Sequence, residues 1–145
     1  MEKVFFCSIM KCIDKFNKEI NDLCESKVAS GFMYEMQKAY PSNLATAFCS
    51  NECPCKATRD RFPTSSEYDS GVYNNKGAEN VMKCPKTLFE SNPPHSEIIG
   101  FLATLEERFR CSGLCSREKW FYFSDVSKGA PIYPCQSQIR SYIQG

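Results

Sequence analysis

Ten cysteines in a chain of 145 residues constrain the possible folds of this protein more than any other feature of its sequence. Three of them fall within one short segment, CSNECPC, at positions 49–55. Cysteines at this density act as metal ligands, as redox centres or as disulfide partners, and each use implies a different compartment. The spacing between the cysteines separates these uses.

The spacing disfavours zinc binding and thioredoxin-type redox chemistry. Both uses most often place two residues between paired cysteines, and no such pair occurs in the sequence. The closest pairs are Cys49 with Cys53, Cys53 with Cys55, and Cys111 with Cys115. We therefore predict that the protein holds no metal ion and no cofactor.

Disulfide bonds are the remaining use, and an even number of cysteines in a small chain fits it. Because disulfides persist in oxidising compartments, we predict an extracellular or lumenal location. Spacing alone selects no pairing, but Cys53 and Cys55 should have different partners, since Pro54 stiffens a ring already too short to close without strain. We expect CSNECPC to be a knot that ties several parts of the chain. The predicted disulfide residues are Cys7, Cys12, Cys24, Cys49, Cys53, Cys55, Cys84, Cys111, Cys115 and Cys135.

Composition and charge indicate one globular domain that binds no nucleic acid. Hydrophobic residues make up 42% of the chain and aromatic residues 13%, and the net charge is +1. Nucleic-acid binding requires concentrated positive charge, whereas the basic residues here alternate with acidic ones, as between Asp14 and Asp22.

Apolar residues at helical spacing predict three amphipathic helices and a short fourth one. The first should end near Cys24, the second should stop before Pro41, and the third should have Ser96 as its N-cap. Residues 50–94 lack this periodicity and read as irregular loops, so the sequence predicts a mainly α, small disulfide-rich domain. The apolar stripes are Ile9, Ile13, Phe16, Ile20 and Leu23; Val28, Phe32, Met36 and Tyr40; Ile98, Leu102, Leu105 and Phe109; and Ile139, Tyr142 and Ile143.

Four consecutive aromatic residues follow the last close pair of cysteines. In an extended segment two of them would face each way, so burying all four requires packed layers on both sides. Either all four belong to the core, or one or two lie on the surface as anchors for a binding partner. These candidate partner-binding residues are Trp120, Phe121, Tyr122 and Phe123.

The sequence lacks recognisable catalytic motifs. It contains neither a Gly-x-Ser-x-Gly elbow nor a phosphate-binding loop, and any histidine-dependent triad would have to use His95, which we expect at the surface beside Pro93 and Pro94. Glu106 and Glu107 are adjacent on a predicted helix and point in different directions, so they are not an acid/base pair. We predict that the protein is not an enzyme.

The chain needs a route to an oxidising compartment, and its N-terminus is a poor export signal. The apolar stretch at residues 4–10 is short and interrupted, and no stretch approaches the roughly 20 apolar residues of a membrane helix. We expect either that a signal has been removed or that the chain is an extracellular piece of a larger membrane protein.

The order of parts resembles the large extracellular loop of a tetraspanin, and most of all the divergent, protist-type members of that family. A helical hairpin leads to a cysteine-dense segment, a variable region and a last cysteine before a C-terminal helix. The similar motifs are CSGLC at 111–115, FYFS at 121–124 and GAP at 129–131, before Cys135.

This resemblance implies an architecture and a set of disulfides. The hairpin and the C-terminal helix would form a helical stalk at about 4–48 and 134–145, and residues at about 49–133 would form a variable, disulfide-rich head. Tetraspanins have a Cys-Cys-Gly motif that bonds to variable-region cysteines and to the last cysteine. It is absent here, so Cys53 and Cys55 would take its place and Cys135 would be the last cysteine. The candidates for the remaining bonds are Cys84, Cys111 and Cys115, whereas Cys7, Cys12 and Cys24 lie outside the usual set of the family.

The resemblance also implies a function. The protein would be the non-enzymatic recognition domain of a four-helix membrane protein, on the extracellular side of the cell membrane, with flanking transmembrane helices outside the chain. It would bind other membrane proteins, laterally or on an opposing cell, through residues 56–110, and it would organise membrane assemblies or cell–cell contact. A homodimer is possible in this scheme. The alternative is a free secreted cysteine-rich protein that acts in signalling or adhesion.

Overall fold

A computed structural model describes residues 11–26, 31–62, 66–88 and 96–145 of the chain. Within these ranges the protein is mainly helical and has isolated β-bridges but no strand, so the predicted fold class is confirmed at this level. The α-helices are α1 (Ile13–Asn21), α2 (Gly31–Ala39), α3 (Asn43–Ala47), α4 (Ser66–Asp69), α5 (Ser96–Phe109) and α6 (Cys135–Gln144). A π-helical turn, Asp22–Ser26, continues α1, and short 3-10 helices occupy Arg59–Arg61, Val81–Lys83, Lys86–Leu88 and Val126–Lys128.

The helices lie where the apolar stripes predict them. Phe16 and Ile20 are buried on α1, and the π-helical turn carries the chain past Cys24. The helix α2 ends at Ala39, two residues before Pro41, because a proline makes the helical conformation unfavourable for the residue that precedes it. Two predicted stripe residues, Ile9 and Val28, lie outside the described residues.

The first and last of these helices pack side by side. The helix α6 contacts both α1 and α5, and α5 contacts α2. Polar contacts join α1 to α6: Asn21 Oδ1 accepts hydrogen bonds from Gln136 Nε2 at 2.9 Å and from Arg140 at 3.0 Å. The ring of Phe101 on α5 lies 5.4 Å from the ring of Phe16 and 5.1 Å from that of Phe32, so one aromatic side chain links three helices. No helix of this part of the chain is both long and apolar enough to cross a membrane.

Four disulfide bonds lie within the described residues; two join a helical segment to an irregular one and two join irregular segments, and together they are consistent with an extracellular or secreted location. Cys12 is also disulfide-bonded, and Cys7 lies outside the described residues. The bonds are Cys24–Cys115, Cys49–Cys55, Cys53–Cys84 and Cys111–Cys135.

The pairing confirms one prediction and corrects two. Cys53 and Cys55 have different partners, as Pro54 led us to expect. The bond between Cys135 and the CSNECPC segment, which the tetraspanin resemblance implied, is wrong, since Cys135 bonds to Cys111. The prediction that CSNECPC ties several parts of the chain is also wrong, because the segment closes on itself through Cys49–Cys55 and sends out one link, Cys53–Cys84.

Backbone geometry explains why CSNECPC closes on itself. Cys49 has a left-handed backbone conformation, with φ at 63°, and its N–H donates a hydrogen bond to the carbonyl of Cys53 at 2.9 Å. This turn brings the Cα atoms of Cys49 and Cys55 to 4.7 Å from each other, within the range that a disulfide can span. Bridges from Cys55 to Tyr73 and Ala78 then fix the segment against the next part of the chain.

We predict the outcome of a disulfide map from this pairing. Digestion of the unreduced protein should release one peptide pair that joins Cys111 to Cys135 and another that joins Cys53 to Cys84, identified by mass spectrometry before and after reduction. A peptide pair that joins Cys135 to Cys53 or Cys55 would contradict this pairing and would match the one implied by the tetraspanin resemblance.

Candidate functional site

The four aromatic residues of the predicted binding run all lie in the core. Trp120, Phe121, Tyr122 and Phe123 are 4%, 5%, 6% and 4% exposed. The first of the two alternatives is therefore confirmed, and the prediction that one or two of them are exposed anchors is wrong.

Aromatic side chains from other segments pack against this run. The ring of Trp120 contacts those of Phe62 and Tyr73, at 5.5 and 6.0 Å between centroids. The ring of Tyr40 lies 6.0 Å from that of Tyr122 and 5.1 Å from that of Phe123. The Lys128 ammonium lies 4.4 Å from the ring centroid of Phe121.

An open cleft of about 390 Å³ nevertheless reaches two of these residues from the surface. Its walls come from residues 40–41 just after α2, the end of α3, residues 48–50, residues 70–71 and the segment 118–122. Because Cys49 is itself part of the wall and is cross-linked to Cys55, the shape of this side is held covalently. The lining side chains that matter chemically are Tyr40, Phe48, Glu118, Lys119, Trp120 and Tyr122.

A fully buried carboxyl group holds the floor of the cleft in place. Oε1 of Glu106 accepts hydrogen bonds from the backbone N–H groups of Phe123 and Ser124, both at 3.0 Å, and from the Ser124 hydroxyl at 2.9 Å. Its Oε2 accepts a hydrogen bond from the Tyr40 hydroxyl at 3.2 Å. One side chain of α5 thus links the end of α2 to the aromatic run.

Burial dominates the electrostatics of this carboxyl group. Removal from water raises the pKa of Glu106 to about 7, although the hydrogen bonds from Ser124, Phe123 and Tyr40 favour the charged form and oppose the rise. Burial also raises the pKa of the Tyr40 phenol well above its ordinary value, and the neighbouring charge of Glu106 adds to the effect. The interaction is compatible with a neutral carboxyl group, because a proton on Oε2 can be donated to the Tyr40 oxygen.

Sequence reasoning missed the role of Glu106. From the sequence, Glu106 is considered only beside Glu107, as an acid/base pair that their different directions exclude; the structure places Glu107 at the surface and buries Glu106. A signal was present, because Glu106 lies four residues after Leu102 and therefore on the apolar face of its helix. A charged residue on a buried stripe needs internal partners, and those partners are far away in sequence.

Charged side chains at the mouth of the cleft are sparse. Glu118 and Lys119 are the only charged residues in its described lining. Partial burial raises the pKa of the Glu118 carboxyl, and the positive charge of Lys119 opposes this rise. Burial raises the pKa of the Tyr122 phenol, and the negative charge of Glu118 raises it further.

The other candidate sites of the sequence do not converge on the cleft. His95 lies outside the described residues. Among the residues that are described, no group of three or more histidine, cysteine, aspartate or glutamate side chains could hold a metal ion. A second opening, of about 620 Å³, is lined by Thr104, Glu107, Arg108, Phe109 and Tyr142 and contains no residue that the sequence predicted as functional.

No family model, curated protein or solved structure matches this chain.

Proposed function

We propose that the protein is a non-enzymatic extracellular recognition domain that binds a partner protein at the cleft beside the aromatic run. The observation that supports this most is the combination of an open, aromatic-walled cleft with disulfides on the segments that form it. Cys49–Cys55 closes one wall, and Cys24–Cys115 ties the chain just before Glu118 to the π-helical turn that continues α1. A surface held in one shape loses less conformational entropy when a partner binds.

The cleft also has the composition of a protein-binding site. Aromatic side chains with polar tips supply large contact areas at low entropic cost, and they are enriched among the residues that contribute most to binding. Trp120, Tyr122 and Tyr40 border the cleft but are 4%, 6% and 5% exposed, so they give it a rigid aromatic floor and not a large exposed contact area. In this function Trp120 and Tyr122 form the floor of a cleft and are not exposed anchors.

A tetraspanin-type large loop is our finer proposal for the whole protein. The side-by-side packing of α1 and α6 supports it, because a loop between two neighbouring membrane helices must begin and end close together. The bond Cys53–Cys84 also joins the cysteine-dense segment to the variable region, as the family would require. In this proposal the stalk, the head and the partner membrane proteins are those that the resemblance implied.

The alternative is a free secreted signalling or adhesion protein. The specific observation in its favour is the bond Cys111–Cys135, since the last cysteine of a tetraspanin loop would bond to the Cys-Cys-Gly position. Carbonate extraction of membranes from cells that make the full-length protein separates the proposals. A protein retained in the membrane supports the tetraspanin type, and one released into the medium supports the secreted type.

Two matched substitutions test binding at the cleft. Thr46 lines the cleft and Thr104 lines the second opening; both are exposed on helices, and each hydroxyl donates to the carbonyl four residues earlier. We expect Thr46→Tyr to block the cleft and to lower the binding of the labelled domain to intact cells by about tenfold or more, the scale of an interface hot spot. Thr104→Tyr should bind like wild type. Equal binding of all three proteins would contradict the proposed site.

A further inference from the structure

The four disulfide bonds whose cysteines are both described differ in burial. Cys24 and Cys115 are half-buried, whereas every cysteine of the other three bonds is at most 4% exposed. In thiol–disulfide exchange a thiolate must reach a sulfur atom, so access helps to decide which bond reacts first. Among these four bonds, Cys24–Cys115 is therefore the one most open to a reductant. The three buried bonds are Cys49–Cys55, Cys53–Cys84 and Cys111–Cys135.

Cys24 lies in an unusual stretch of backbone. It occupies the centre of the π-helical turn Asp22–Ser26, and none of the five residues of this turn is buried. Helices of this type are rare, occur mostly as single turns and are frequent at functional sites. Because burial does not hold the turn in place, its covalent bond to Cys115 is its strongest link to the rest of the protein.

The other described contacts of the turn are weak. Asp22 pairs with Lys18 of α1 at 2.9 Å, and Glu25 pairs with Arg140 of α6 at 3.3 Å. All four of these side chains are exposed, and exposed ion pairs contribute little to stability. Leu23 packs against the core but is only partly buried. Reduction of Cys24–Cys115 should therefore loosen the turn.

The segment at the other end of the bond is held independently. The backbone N–H of Cys135 donates a hydrogen bond to the carbonyl of Gly113 at 2.7 Å. The N–H of Gln136 donates to the carbonyl of Leu114 at 3.0 Å. These bonds tie the segment to the start of α6 whether or not Cys115 is bonded. Loss of the disulfide should thus loosen one end and leave the other in place.

We propose that Cys24–Cys115 is a redox-sensitive switch, which a dithiol oxidoreductase opens selectively to release the π-helical turn from the segment that leads to the cleft. One thiolate of the reductant attacks a sulfur atom of the bond, and the other cysteine leaves as a thiolate and takes up a proton. The second thiol of the reductant then resolves the mixed disulfide. The reductant becomes a disulfide and the protein gains two electrons and two thiols. This inference goes beyond recognition at the cleft and does not depend on it.

The order of reduction tests the proposal. The intact chain is treated with reduced thioredoxin, a folded dithiol reductant, and free thiols are alkylated at successive times and identified by mass spectrometry. We expect Cys24 and Cys115 to be alkylated about tenfold or more faster than the cysteines of the three buried bonds, because access limits exchange. Simultaneous reduction of all four bonds, earlier reduction of a buried bond, or no reduction of Cys24–Cys115 would overturn the proposal.

Two double variants test the structural effect of opening the bond. Cys24→Ser/Cys115→Ser mimics the reduced state, so its amide hydrogen exchange should rise by about tenfold or more at residues 22–26 and stay as in wild type within α5 and residues 111–114. Cys49→Ser/Cys55→Ser is the matched control, and it should leave exchange at residues 22–26 unchanged.

Each contrary result identifies a different failure. Unchanged exchange at residues 22–26 of Cys24→Ser/Cys115→Ser would mean that the bond does not hold the turn. Raised exchange throughout α5 would mean that it supports the whole fold and is not a local switch. An equal rise at residues 22–26 in the two variants would mean that the turn responds to any loss of stability. Any of these would overturn the proposal, and none bears on the Thr46→Tyr test of the cleft.

Discussion

Replacing Glu106 with alanine is expected to lower the free energy of unfolding by about 2–4 kcal/mol, because it leaves buried hydrogen-bond donors without an acceptor. The backbone N–H groups of Phe123 and Ser124 lose their partner, as does the Tyr40 hydroxyl. The two backbone groups belong to the segment that forms the floor of the cleft. Their release should therefore also change the fluorescence of Trp120 in the folded protein.

Urea unfolding measures this effect, and the neighbouring residue provides the control. Glu107 is exposed on the same turn of α5, so Glu107→Ala should change the free energy of unfolding by about 0.5 kcal/mol or less. Glu106→Gln keeps an oxygen for the two backbone donors and should cost clearly less than Glu106→Ala. If Glu106→Ala is no more destabilising than Glu107→Ala, the buried network around Glu106 does not contribute to stability.

The same carboxyl group should make stability depend on pH. The pKa of Glu106 rises from its ordinary value of 4.5 in the unfolded chain to about 7 in the folded protein, so the folded state binds the extra proton between these values. Stability is therefore highest below pH 4.5 as far as this group is concerned, falls as the pH rises, and levels off above pH 7. The total loss corresponds to about 3 kcal/mol.

A variant with an amide in place of the Glu106 carboxyl group cannot titrate there, so it isolates the contribution of Glu106. Glu118, whose pKa burial also raises, shifts stability in the same direction, while Tyr40 and Tyr122 titrate at much higher pH. Urea unfolding of wild type and Glu106→Gln between pH 4.5 and 8 should therefore give a difference in stability that shrinks or reverses as the pH rises. A constant difference would mean that the carboxyl group titrates at its ordinary pKa.

Removal of the bond Cys24–Cys115 is expected to lower the free energy of unfolding by about 4–5 kcal/mol, more than the loss of Glu106. The two cysteines are 91 residues apart, and a disulfide that closes a long loop restricts the unfolded chain most. Both side chains are only half-buried, so their replacement by serine disturbs the core little. The double variant Cys24→Ser/Cys115→Ser tests this by urea unfolding under oxidising conditions.

The bond Cys49–Cys55 is the matched comparison. Its cysteines are 6 residues apart, and the same entropic relation predicts a loss of only about 2–3 kcal/mol. The order of the two variants matters more than the absolute values, because strain in the folded state affects both. A larger loss for Cys49→Ser/Cys55→Ser would mean that packing around these buried sulfurs, rather than loop closure, dominates.

The helices could be predicted from sequence because their signal is local. Phe16 and Ile20 are four residues apart and lie on one face of α1, and Leu102, Leu105 and Phe109 repeat the pattern on α5. Helical periodicity relates residues three and four positions apart, which a single sequence displays directly. The end of α2 before Pro41 was equally predictable, since proline restricts the residue that precedes it.

The cleft and its support could not be predicted, because they depend on distances between parts of the chain that are remote in sequence. Tyr40 and Glu106 are 66 positions apart and share a hydrogen bond. The burial of the aromatic run depends on Phe62, Tyr73 and Tyr40, whose rings pack against it from remote parts of the sequence. A carboxylate on an apolar stripe indicates a buried partner, but periodicity does not identify it.

The sequence by itself determined that this chain is helical and cross-linked by disulfides, since helical periodicity and the number and spacing of its cysteines are properties of the chain alone. Only the tertiary structure decided which cysteines meet. Cys135 bonds to Cys111 because folding brings their Cα atoms to 4.9 Å, and a disulfide forms only across such a distance. The same holds for the cleft: its residues come from separate segments, and packing alone places the rings of Tyr40 and Phe48 against that of Tyr122.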